Sequence, residues 1–174
     1  MKDNFIYTGK VTMSSTIGDK LFNKKVFNNG NLPLFQLFAM ALCGASVDLL
    51  RPQYINIVAT EEDTPSKTDD SLLATGKSFV TRTLHMGTGQ ANDQPCAIIS
   101  TNINGSNIDT EAVIAAKGSK KVFITLETVE SDILAFVELS TEDITSLASY
   151  TYGTQLLISW ELGINNPTTQ PTSI

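Results

Sequence analysis

The run Gln155 to Ile164 places Leu156, Ile158, Trp160 and Leu162 on one side and Ser159 and Glu161 on the other. Alternation of this kind has the period of a β-strand with one buried and one wet face; a helix would scatter the same residues around its axis. The pattern recurs along the chain. Phe5, Tyr7, Val11 and Met13 alternate with Ile6, Thr8, Lys10 and Thr12, a turn follows at Ile17-Gly18-Asp19, and Leu21 to Phe27 returns, which predicts a β-hairpin. Further strands are expected at Gln53 to Ala59, Lys77 to Leu84, Cys96 to Asn102, Lys121 to Thr128 and Ile133 to Leu139.

One stretch changes period. Leu34, Leu37, Phe38, Ala41 and Leu42 fall at helical spacing, with Asn31 as N-cap, Pro33 in the first turn and Gly44 as a left-handed stop, so a short apolar helix is expected near residues 31–43. Weaker helical pieces are expected from Glu111 to Ala116 and opening at Ser140-Thr141-Glu142-Asp143. Short strands separated by turns, with one helix inserted early, predict a mainly β chain folded as an antiparallel β-sandwich of jelly-roll or immunoglobulin-like type. Residues 1–164 are expected to form this single domain, and residues 165–174, carrying Pro167 and Pro171, an extended C-terminal arm that docks where a partner holds it.

The 174 residues suffice for a sizeable core without disulfides or a structural metal. Charged residues make up only 17% and the net charge is -6, which argues against recognition of a phosphate backbone and hence against nucleic acid as a partner. The basic doublets Lys24-Lys25 and Lys120-Lys121 read as solvated strand ends. No stretch approaches the length of a membrane span, and the first residues lack the apolar core of a signal peptide, so no membrane partner and an aqueous compartment are expected. Cys43 and Cys96 lie in apolar surroundings without metal-ligand spacing and read as buried thiols, with a bond between them left open.

Catalytic chemistry is hard to assemble from these side chains. The single histidine, His85, has no nucleophile motif beside it and reads as a strand-end residue. Gly87-Thr88-Gly89 lacks the remaining residues of a phosphate loop. Glu61, Glu62, Asp63, Asp69 and Asp70 supply oxygens without the spacing of a calcium loop and read as a solvated acidic loop. Trp160 reads as core, with Tyr54, Tyr150 and Tyr152 the other aromatics open to a sugar-binding role. No enzyme, catalytic residue, cofactor or metal is therefore expected.

Asn28-Asn29-Gly30-Asn31-Leu32-Pro33-Leu34-Phe35-Gln36-Leu37-Phe38-Ala39-Met40-Ala41-Leu42-Cys43-Gly44, followed by Arg51-Pro52-Gln53-Tyr54-Ile55, resembles a pattern in small structural proteins of tailed bacteriophages and prophages. There a hairpin ends in an Asn-x-Gly turn, a short Leu-Phe helix follows, and an Arg-Pro-x-x-Ile strand comes next. Leu156 to Asn166 looks like the final strand of the same group, which is also similar to accessory virion proteins of crAss-like phages. The resemblance implies a virion component present in many copies, a head decoration, auxiliary capsid or tail-associated subunit assembled in the bacterial host cytoplasm. Its implied partners are other virion proteins and further copies of itself. The alternative is a carbohydrate- or receptor-binding module of a phage fibre, using Tyr150, Tyr152 and the acidic loop.

Overall fold

The structure, a computed structural model, describes residues 6–15, 22–28, 43–44, 51–85 and 96–165. Those residues form two antiparallel sheets and two short helices. The first sheet runs in the order β2 (Phe22–Asn28), β1 (Ile6–Ser15), β10 (Gln155–Asn165), β7 (Cys96–Asn104), β6 (Thr81–His85). The second has β8 (Lys121–Glu127) between β9 (Ile133–Glu138) and β3 (Tyr54–Thr60), with the two-residue strands β4 (Asp70–Ser71) and β5 (Ser78–Phe79) both pairing with β3.

The expected hairpin is present as β1 and β2; its turn at residues 17–19 lies outside the described residues. The first and last described strands meet at the centre of the first sheet, where β1 pairs with β10 over its whole length, from Ile6 opposite Asn165 to Ser15 opposite Leu156. The alternation of β10 reads out directly: Leu156, Ile158 and Trp160 are fully buried, whereas Gln155 and Leu157 are exposed. Val11 and Met13 of β1 and Ile99 and Ile103 of β7 are buried on the same side, facing Ile55, Ile57, Val122, Ile124 and Leu126 of the second sheet in one core.

Both helices contribute to that core. Asp109 caps α1 (Thr110–Ala116) by accepting from Ala112 N at 2.9 Å, which leaves Val113 and Ala116 buried. Ser140 caps α2 (Thr141–Leu147) in a reciprocal box with Asp143, their backbone N–H groups donating to each other's side chains at 2.9 and 3.2 Å, and Ile144 and Leu147 point inward. Both helices fall where the weaker signals placed them. The helix expected near residues 31–43 lies outside the described residues except for Cys43, and Gly44 adopts the left-handed φ of 71°.

Three expectations need correction. Lys77 to Leu84 is two strands: β5 belongs to the second sheet, the chain breaks at Val80, whose N–H donates to Gln53 O at 3.1 Å, and β6 belongs to the first. Alternation continues through the crossing, so side-chain pattern alone could not reveal the change of partner. Lys24-Lys25 sits inside β2, with Lys25 opposite Val11, and is no strand end. Cys43 is exposed and Cys96 half-buried, so neither is a core thiol. Asn165 closes β10, and residues 166–174 lie outside the described residues.

Candidate interaction surface

Among the described residues strand β6 has a neighbour on one side only, since β7 pairs with it and the sheet order ends there. Alternate backbone N–H and C=O groups of such an edge point outward, ready to pair with another chain unless something blunts them. Thr81, Arg82, Thr83 and Leu84 are all exposed, and β6 has neither proline nor lysine. Register puts Arg82 opposite Ile99 and Leu84 opposite Ala97 on the core side. Arg82 is held there, its Nη1 donating to Pro52 O at 2.6 Å and Gln53 Oε1 at 3.2 Å. Leu84 lies beyond that tie and is 66% exposed, and Phe79 is 67% exposed with its ring 4.9 Å from that of Tyr54.

The outer face of the first sheet is polar. Thr12, Ser159, Ser100 and Thr81 form one row across four strands, and Lys10 meets Glu161 at 3.0 Å in the next. Leu157 interrupts it, 46% exposed between Ser14 and Asn102. An open edge beside a hydroxyl-rich face offers main-chain pairing and side-chain hydrogen bonds to a protein partner.

The sequence candidates do not converge on a chemical centre. His85 closes β6 opposite Cys96. Trp160 is fully buried in the core, and Tyr150 is buried while Tyr152 is 88% exposed, so the two tyrosines of the glycan reading do not form one platform. In the acidic loop, Asp69 accepts from Ser66 N at 2.6 Å and Asp63 accepts from Lys121 Nζ at 2.5 Å. Lys67 reaches Asp132 at 3.3 Å, so the loop is tied both to the first residue of β8 and to the turn after it. The Lys121 hydrogen bond, and then its charge, hold the Asp63 carboxyl below the usual carboxylate value, and Asp63 raises the Lys121 ammonium in the same two ways. Beside this pair is an open cleft of about 340 Å³ bounded by Glu61, Lys120, Lys121, Glu138 and Ile144. Among the described residues no three His, Cys, Asp or Glu side chains gather around a metal position. No helix among them is long and apolar enough to cross a membrane.

Sequence reasoning missed a buried polar cluster on the outer face of the second sheet. That face is buried as well as the core face: Val58 and Phe123 are at most 2% exposed, and Phe123 packs edge-on against Phe136 with ring centroids 5.6 Å apart. Among them Asn56, Thr125 and Glu127 are 2%, 0% and 2% exposed. Thr125 Oγ1 donates to Glu127 Oε1 at 2.5 Å, and Lys77 Nζ donates to Glu127 Oε2. Asn56 Oδ1 accepts from Ser71 Oγ at 2.6 Å and Ile57 N at 2.9 Å. The available signal was polar residues interrupting aliphatic runs, Ile55-Asn56-Ile57 and Ile124-Thr125-Leu126-Glu127, which alternation reads as solvent-facing.

Comparison of the chain with protein-family models, with curated proteins and with solved structures gives no match.

Proposed function

We propose that this chain is a non-catalytic structural subunit of a bacteriophage virion, a head decoration, auxiliary capsid or tail-associated protein that acts through protein–protein contacts. The observation that carries the reading is the edge position of β6 in the first sheet, where Thr81 to Leu84 are exposed, with no proline or lysine in the strand and no covering strand among the described residues. A subunit held by its neighbours has a use for such an edge, because an added strand satisfies its outward backbone groups and covers Leu84. The resemblance of residues 28–44, 51–55 and 156–166 to phage structural proteins supplies the kind of assembly. In this reading the two sheets are the layers of a β-sandwich of jelly-roll or immunoglobulin-like type, the partners are capsid or tail subunits and further copies, and the protein resides in the virion.

Two measurements test this. Mass spectrometry of purified particles should find the chain in many copies, and its absence would overturn the virion reading. The variant Leu84→Lys changes an exposed side chain and should leave the fold intact. It should lower incorporation at least tenfold; wild-type incorporation would remove β6 as the contact.

A further inference from the structure

The buried polar cluster holds the parts of an acyl transfer, independently of any role in a virion. An amide-forming reaction needs an amine nucleophile, a carbonyl whose oxygen is polarised by fixed donors, and a group that moves protons between attacking and leaving nitrogens. All three lie on one face of the second sheet. The pairs Tyr54 opposite Phe79 and Ile55 opposite Ser78, continued by one residue, bring Lys77 beside Asn56. Thr125 lies opposite Asn56 on the other side, and Glu127 follows on the same face of β8. The Asn56 carboxamide oxygen already accepts from a hydroxyl at 2.6 Å and a backbone N–H at 2.9 Å, the arrangement that stabilises negative charge on an oxygen. Glu127 accepts from Lys77 Nζ on one oxygen and from Thr125 on the other, so its carboxyl is oriented and in proton contact with the amine.

We infer that Lys77 and Asn56 join in an intramolecular isopeptide bond, with Glu127 as the proton carrier and Ser71 and Ile57 N holding the Asn56 oxygen. The Lys77 ammonium passes a proton to the Glu127 carboxylate that its Nζ contacts. The amine attacks Asn56 Cγ, the Nζ–Cγ bond forms, and the carbonyl electron pair moves onto Oδ1. Glu127 gives its proton to Nδ2 and takes the second proton from Nζ. The carbonyl reforms as the Cγ–Nδ2 bond breaks, and ammonia leaves with the remaining proton as ammonium, restoring the Glu127 carboxylate. No oxidant, metal or cofactor enters the balance. The product ties β3 to the segment entering β5, closing the loop that contains Glu61 to Asp70.

Intact-mass spectrometry of the purified full chain, followed by proteolytic mapping, tests the bond. The expected mass is that of the sequence less one ammonia, with a branched peptide joining Asn56 to Lys77 and no tryptic cleavage after Lys77. Lys77→Arg keeps a cation for Glu127 but cannot transfer its nitrogen, and Glu127→Gln keeps the shape but cannot accept the proton; both should show the unreduced sequence mass. An unmodified wild-type mass overturns the inference. Loss of ammonia without a branched peptide also overturns it, and loss of water with a branch to Glu127 overturns the assignment of Asn56 as acceptor. The wild-type measurement decides the matter even where a variant fails to fold.

Discussion

Ser78 and Thr101 meet hydroxyl to hydroxyl at 2.6 Å, one on the last strand of the second sheet before the chain crosses over and the other on the inward face of the first. Thr101 Oγ1 also lies 2.8 Å from Phe79 O, to which it donates. The chain leaves one sheet and joins the other between these contacts, so the crossing at Val80 is held by polar bonds on its near side and by Arg82 on its far side. The edge position of β6 follows from that geometry.

Arg82 should therefore matter to stability despite being exposed. Replacing it with Met keeps the aliphatic stem over the core and removes the bonds to Pro52 O and Gln53 Oε1. Hydrogen bonds from a charged donor, discounted for exposure, imply a loss of about 1 kcal/mol. A lower urea midpoint at unchanged slope is the expected outcome; an unchanged midpoint would mean that the sheets need no tie at this end.

Gly105 occupies a closer contact. It opens the 3-10 turn after β7, and a Cβ there would stand 2.5 Å from Thr151 O and 3.0 Å from Thr154 Oγ1. Thr151 O is backbone, in a turn closed by Gly105 N donating to Thr154 O at 2.7 Å, so the obstacle cannot rotate away. Gly105→Ala should cost about 1–3 kcal/mol, the range for overpacking at a site that must shift backbone. Thermal unfolding measures it.

Ser140 gives a test of local signals. Its hydroxyl caps α2, and Ile144 and Leu147 depend on that helix for their place in the core. Ser140→Ala should lose about 1 kcal/mol, whereas Thr145→Ala, which removes only a bond to the Thr141 carbonyl at 2.8 Å on the exposed face, should lose less.

How much was legible depended on whether a residue's surroundings were local. The strands with one wet face, such as β10 with Leu156, Ile158 and Trp160 alternating against Gln155 and Leu157, were legible because one face truly meets solvent. The cap at Ser140 was legible because capping depends on neighbours in sequence, whereas the Asp109 cap of α1 went unread. The strand β4 was not, since Asp70 and Ser71 carry no strand propensity and are extended only because Ala59 and Val58 pair with them. Nor was the cluster of Asn56, Thr125, Glu127 and Lys77, because polar residues at alternate positions signal water unless it is known that the second face is covered. The open edge at β6 likewise depends on sheet order, which periodicity does not encode.

The ion pair between Asp63 and Lys121 gives the molecule a pH signature with a definite sign. Asp63 is held below the ordinary carboxylate value of 3.8, so its contribution is present above that value and is lost as pH falls through the lowered one. Lys121 is raised above 10.5, so its share is complete below that value and is lost as pH rises through the raised one. Both directions describe one plateau spanning neutral pH with losses at the two extremes. The pair is exposed, so the plateau should be shallow and salt-sensitive. Comparing melting temperatures of the wild type and Asp63→Asn across pH, the difference should be constant near neutrality, shrink in acid and in strong base, and diminish as salt is added. A difference that grows on acidification would show that the loop is anchored by something other than this pair.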